Sequence, residues 1–263
     1  MWQTIVLVLI STLLASAEPQ SPAATMAPTG TLRAAFLGTN PVHARLDPKT
    51  GAITGPVADL VKELARRLDV PYTLIPAPGV PDVIKHLKDH TADIGFMAYD
   101  ETRAQEVDFA GAFALMYSSY IVPVNSRIQK TADADRPGLQ IGAVKGVSQE
   151  LFLSENLKNA KVKIFVNMPP QSELERLLVS GELDAFGVNR QRALDAAAES
   201  SKLRALPDSF LEVEQSFVVE KGQSAKADVI NRFVEDVRTS GFIKASIEAA
   251  KLSGVDVVPA RKR

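Results

Sequence analysis

Residues 83–98 read VIKHLKDHTADIGFMA, and residues 174–189 read LERLLVSGELDAFGVN. Offset by 91 positions, Val83 and Leu87 fall on Leu174 and Leu178, and Asp93 falls on Asp184. Each copy reads as a helix, a short turn and an apolar strand. The strands end at Ala98 and at Asn189. A helix–turn–strand unit that occurs twice predicts two similar α/β lobes.

Outward from the first copy, residues 32–37 (LRAAFL) read as a buried strand after Gly30-Thr31. Gly38, Asn40 and Pro41 mark a loop, and residues 47–51 (DPKTG) carry the turn chemistry of a hairpin tip. Residues 56–68 form an amphipathic helix, with Val57, Leu60, Val61, Leu64 and Leu68 on one face and Pro56 in the first turn. Residues 72–75 are the next strand. Strand and helix alternating at these lengths predict βαβ units and a parallel sheet. Between the copies, 117–124 (YSSYIVPV) reads as an extended crossing, 139–144 as a strand, 149–157 as a helix and 162–166 as a strand. After the second copy, 215–220 (QSFVVE) is a second extended segment. Ser224 is expected to cap a helix whose Ile230, Phe233, Val234 and Val237 share a face. The two crossings bracket one lobe at 120–215. Residues 32–119 and 216–255 make the other, followed by a tail at 256–263.

The chain has 263 residues, 30 Lys+Arg against 31 Asp+Glu, and no Cys. A net charge of -1 offers no general field for nucleic acid or an anionic membrane. Without Cys there are no disulfides, thiol nucleophiles, cysteine metal sites or thiol-linked lipid anchors. Residues 5–14 (IVLVLISTLL) are too short to span a bilayer. The small residues Ala15-Ser16-Ala17 follow, the pattern of a signal-peptidase site. Cleavage after Ala17 is expected, leaving 246 residues that begin with a linker at 18–31 and have no stable membrane insertion. An exported chain with no Cys to tether it points to the periplasm.

Enzyme motifs fail. Gly142 and Gly146 do not make a dinucleotide fingerprint, and there is no Walker-type GK[ST]. The run from Gly146 to Ser148 begins like a nucleophile elbow, but Glu150 stands where the last Gly is required. His86 and His90 are four apart on a helix, yet no carboxylate pattern completes a metal site. A solvated helix face is the simpler reading. His43 sits in a loop and carries no signal. No metal and no cofactor are expected.

Three segments follow predicted strands, where open α/β sheets bind ligands. The first contains Ala98, Tyr99, Asp100 and Arg103; Arg103 can fork two hydrogen bonds to a carboxylate, or simply pair with Asp100 or Glu106 on a surface. The second is Lys145 to Gln149, where Ser148 reads as an N-cap and the helix start favours an anion, or is an ordinary cap. The third ends in Asn189, a donor and acceptor for ligand or a cap for the helix at 190–199.

With these residues in place the chain resembles the extracytoplasmic solute-binding proteins of family 3, the polar amino acid receptors of ABC transporters. The resemblance covers residues 30–245. It rests on GPVADLVKELARRL (55–68), ADIGFMAYDETRAQEVDF (92–109), IGAVKGVSQELF (141–152) and SGELDAFGVN (180–189). It implies the type II periplasmic binding fold: two α/β lobes, each a mostly parallel sheet flanked by helices, joined by two extended hinge crossings. It implies that Arg103 clasps a ligand carboxylate from one lobe, while Val147 and Ser148 take it from the other. Ala98, Tyr99, Asp100, Asn40 and Gln149 complete the expected site.

The chain departs from the family in ways that bear on the ligand. Asn189 stands where the family usually has an Asp for the ligand ammonium, so charge assistance is lost there. Ser or Thr is common at the positions of Ala98 and Asp100, and rings are common near Asn40 and Val80. The expected ligand is a small carboxylate-bearing solute, an amino acid or a related organic acid. The expected partner is an ABC permease in the inner membrane, and the expected state is a monomer. Two other readings stand beside this one. One is a dehydratase-like enzyme on the same fold, with Asp100, Glu101 and Glu173 as its candidate acids. The other is an accessory protein that docks on a periplasmic dehydrogenase.

Overall fold

In the computed structural model, residues 21–259 are described; the signal segment expected at 1–17 lies outside them. The first half of the chain builds α1 (Pro22–Met26), β1 (Leu32–Leu37), β2 (Arg45–Leu46), β3 (Ile53–Thr54), α2 (Pro56–Leu68), β4 (Tyr72–Ala77), α3 (Val80–Lys88), β5 (Ile94–Ala98) and the long β6 (Val107–Pro123). The second half adds β7 (Gln140–Val144), α4 (Ser148–Asn156), β8 (Lys161–Phe165), α5 (Gln171–Val179), β9 (Ala185–Asn189), α6 (Arg190–Glu199), β10 (Leu203–Ala205), β11 (Leu211–Glu220), α7 (Ser224–Thr239), α8 (Phe242–Ala249) and β12 (Val255–Val257).

Strand order along the main sheet is β4-β1-β5-β11-β6-β9-β7-β8. β1 lies parallel between β4 and β5, and β7 lies parallel between β8 and β9. The two three-stranded units therefore share one topology, and the repeated sequence unit supplies the last helix and strand of each. β6 and β11 run antiparallel down the middle and carry the chain between the lobes. Two groups of apolar cores follow this division. The clusters around Leu60, Phe96 and Val83 belong to one lobe, and those around Phe186 and Tyr120 to the other. This is the two-lobed type II periplasmic binding fold.

The matched aspartates explain the repeat physically. Asp93 Oδ2 accepts from the Arg33 backbone N–H at 2.9 Å, and the Asp93 N–H donates to the Arg33 carbonyl at 2.8 Å. In the other lobe, Asp184 Oδ2 accepts from Gln140 N–H at 2.8 Å, and Asp184 N–H donates to the Gln140 carbonyl at 2.9 Å. Each aspartate fixes the first residues of its strand against the central strand. A one-residue slip would turn every buried side chain outward.

Several sequence expectations change, and Ser224, expected as a cap, is the first residue of α7, with Gln223 at the cap position and no side-chain cap bond. The stretch read as a linker includes α1, whose Met26 is fully buried in the first lobe's core, because an apolar side chain is worth about 2 kcal/mol once removed from water. The tail expected from 256 begins later, since Asp256 and Val257 still pair with Leu115 and Ala114. β6 starts ten residues before the predicted 117. Gly111, at φ +51 with a hypothetical Cβ 2.5 Å from Val234 Cγ2, interrupts the pattern and the alanines around it weaken it.

Asp93 also forks two bonds to the Arg33 guanidinium, which Asp184 has no counterpart for. Asp93→Ala is expected to destabilise the protein by about 2–3 kcal/mol in urea unfolding, and Asp184→Ala by about 1–2 kcal/mol. The reverse order would contradict this assignment.

Candidate functional site

The carboxyl ends of β1, β5, β7 and β9 meet at a cleft of about 510 Å³ between the lobes. Of the predicted site residues, Asn40, Ala98, Arg103, Val147, Ser148, Gln149 and Asn189 line it. Tyr99 and Asp100 do not. Tyr99 is 46% exposed and packs edge-on against Phe109, with ring centroids 5.0 Å apart. Asp100 Oδ1 accepts the Arg103 backbone N–H at 3.1 Å and so holds the 3-10 turn that presents Arg103. It positions the arginine rather than facing the cleft.

Arg103 is only 6% exposed. Its Nη1 donates to the Ala98 carbonyl at 2.9 Å, and its Nη2 crosses the cleft to the Gly146 carbonyl at 2.9 Å. Among the described residues no side-chain carboxylate pairs with it, against the surface pairing with Asp100 or Glu106 weighed above. Glu106 is engaged by Lys88 instead. Burial holds the Arg103 pKa below its ordinary value, with partial relief from the Asp100 charge. A guanidinium has five N–H donors, and carbonyls occupy two of its nitrogens here. The rest of the fork is available to an anion.

Across the cleft, Gly146 adopts φ +73, a conformation glycine permits, and turns β7 into α4. Ser148 is the first helical residue rather than the cap. The cap position is Val147, in extended conformation and without a side-chain bond. The opening N–H groups of a helix lack intrahelical partners, and those of α4 lie at the cleft wall. Glu150 reaches back to accept the Gly146 N–H at 3.0 Å, which fixes the turn. Gln149 Nε2 donates to Ser118 Oγ at 2.8 Å on the crossing strand. Asn189 is a helix cap: its Oδ1 accepts the Arg192 N–H at 2.8 Å.

Sequence reading passed over His43, Gln215 and Arg192 among the lining residues. His43, taken as an uninformative loop residue, is 1% exposed at the cleft, with Nε2 2.8 Å from Gln215 Oε1. Gln215 reaches the cleft because β11 shifts register against β6 on either side of Ser216, and such irregularities re-aim side chains. His43 Nδ1 and Gln215 Nε2 are buried without partners among the described residues. Arg192 and Lys145 also line the cleft. Arg192 lies three residues past Asn189 on α6, and only that spacing could have flagged it; Lys145 opens the segment 145–149 singled out above.

No Phe, Tyr or Trp lines the cavity among the described residues; Val80, Met97, Met116, Met168 and Val188 form its apolar walls. The enzyme candidates lie elsewhere: Glu173 pairs with Arg176 at 2.8 Å on an exposed surface, and neither Asp100 nor Glu101 lines the cleft. His86 bonds Thr91 while His90 faces Glu220, so the two histidines do not converge. No metal-holding cluster of acidic or histidine side chains occurs among the described residues. No helix among them is long and apolar enough to cross a membrane.

A buried arginine, a helix start and an apolar cleft between two lobes define a solute-binding protein. Residues 32–249 match the bacterial extracellular solute-binding proteins, family 3, and the chain belongs to that family. It is similar to the ABC transporter glutamine-binding protein GlnH of Bacillus subtilis, at 26% identity over 199 residues, covering 74% of this chain and 71% of the relative. Among solved structures it is similar to an arginine-bound amino acid ABC transporter substrate-binding protein from Streptococcus pneumoniae, with TM-score 0.73 and 19% identity over 89% of this chain and all of that one. It is also similar to an ancestral amino acid-binding protein, a precursor of cyclohexadienyl dehydratase, with TM-score 0.71 and 22% identity over 88% of this chain and 99% of that one. These two structural matches show the fold.

Burial pushes the His43 pKa down to about 4, partly offset by its bond to Gln215. The unfolded chain therefore takes up a proton near pH 6.5 that the folded chain refuses until about 4. Stability is expected to fall as pH drops across that window, by roughly 3 kcal/mol at most, and to be insensitive to this group above it. Urea unfolding at several pH values should show the slope in the wild type and a flatter one in His43→Gln. Equal slopes would count against the neutral buried imidazole.

Proposed function

We propose that this chain is the solute-binding component of an ABC transporter, which takes a small carboxylate-bearing solute into the cleft between its lobes. The buried Arg103 carries the reading. Its charge is removed from water and hydrogen-bonded to two carbonyls, a state that a ligand carboxylate would improve by charge-assisted hydrogen bonds. The α4 start faces it from the other lobe and adds N–H groups to the same anion. Because Arg103 already reaches Gly146 across the cleft, binding there ties the two lobes together. Closure would occur by bending at β6 and β11, as two-lobed binding proteins close around ligands. The filled protein would then deliver its solute to an inner-membrane permease. Residues 1–17 act as the export signal, the protein works in the periplasm as a monomer, and the lobes divide near 120 and 215. Binding without turnover is the role assigned, supported by the placement of Glu173 and Asp100 away from the cleft.

Arg103→Ala and Arg103→Gln are expected to weaken binding of the solute by at least about 100-fold in calorimetry, with circular dichroism unchanged. Retained affinity in both variants would sink the proposal. Turnover of prephenate-like acids by the wild type would favour the enzyme reading instead.

A further inference from the structure

The cleft holds more positive charge than one carboxylate answers. Among the described residues Arg103, Lys145 and Arg192 line it, against Asp82 as the one acidic lining side chain, and burial keeps His43 neutral. The local balance is +2. A zwitterionic amino acid would leave it unchanged, a cationic one would raise it, and a monocarboxylate would halve it. A dianion would close it to zero. Lys145 is exposed and screened by water, so the selective part of this balance lies with the buried Arg103 and the half-buried Arg192.

Arg192 is the second fixed point. It is half-buried on α6, and burial lowers its pKa from the ordinary value, partly offset by the charges of Asp195 and Glu199. Its Nη2 crosses the cleft to the Thr39 carbonyl at 3.0 Å, just as Arg103 crosses in the other direction to Gly146. No carboxylate pairs with it among the described residues. Asp195, the acid nearest to it along α6, is held by Arg45 at 3.4 Å and by Gln191 at 2.7 Å. Asn189 places the helix that carries Arg192, since it caps α6 through the Arg192 N–H. The residue at the end of β9 thus presents a cation to the cleft instead of presenting an anion itself.

We propose that the cleft takes a short dicarboxylate, with one carboxylate at Arg103 and the α4 start and the other at Arg192. The apolar walls of valine and methionine suit the methylene segment between them. An ammonium group on the ligand adds nothing to affinity. The inference rests on the solute-binding reading above, and deepens it.

Calorimetry with succinate, glutarate, butyrate, L-glutamate, L-glutamine and L-arginine tests it. At least one of the two dicarboxylates is expected to bind about 100-fold more tightly than butyrate, and glutarate at least as tightly as L-glutamate. Arg192→Met should erase most of the preference for dicarboxylate over butyrate, read as the ratio of the two affinities in the same variant. Arg192→Lys, which keeps the charge, should restore part of it. Arg103→Gln should weaken both ligand classes. An unchanged dicarboxylate preference in Arg192→Met overturns the second subsite. So does L-arginine or L-glutamine binding more tightly than either dicarboxylate, or no dicarboxylate binding up to about 1 mM. Loss of the preference with Arg103 variants unaffected would instead fault the carboxylate site at Arg103.

Discussion

An arginine charge lies in the cleft, and no carboxylate among the described residues pairs with it. Arg103 is almost fully buried, its backbone is held by Asp100, and its guanidinium donates to the carbonyls of Ala98 and Gly146. Those two carbonyls belong to opposite lobes, so one side chain reports on the geometry of both. Everything around it serves that placement. The 3-10 turn after β5 raises Arg103, and Gly146 bends β7 into α4 opposite. Glu150, which lacks the glycine that a nucleophile elbow needs there, locks the turn by accepting its N–H.

The duplicated unit is what aims the two strand ends at one another. Asp93 and Asp184 fix the strand registers in their own lobes by the same pair of backbone contacts. β5 and β9 therefore end at comparable depths, Ala98 on one side and Asn189 on the other. β6 and β11 then join the lobes, and the irregular pairing near Ser216 turns Gln215 toward His43. The crossing that connects the lobes thus also lines the cleft.

Much of this was legible in the sequence. Strong periodicity and proline at the first turn marked α2 to the residue, and the short apolar run marked β1. The repeat was visible because an aspartate with a structural task recurred at a fixed offset. The less legible parts had physical causes. Gly111 broke the strand pattern of β6, and α1 is too short to show a period yet buries Met26. Arg103, Ser148 and Asn189 were accessible because they follow strands. His43, Gln215 and Arg192 were not, because a loop, a shifted register and a helix cap bring them to the cleft. The family resemblance gave the fold and pointed to Arg103. It pointed to Asn189 as a missing charge, whereas the local chemistry makes Asn189 the cap that presents Arg192.

The ligand-facing character of Arg103 is open to direct observation. A crystal structure of the protein carrying the solute with which it purifies should show a ligand carboxylate oxygen about 2.7–2.9 Å from the Arg103 guanidinium, with the α4 N–H groups facing the same anion. A ligand that places an ammonium or an apolar group there, leaving Arg103 bonded to carbonyls alone, would contradict the central role given to that charge.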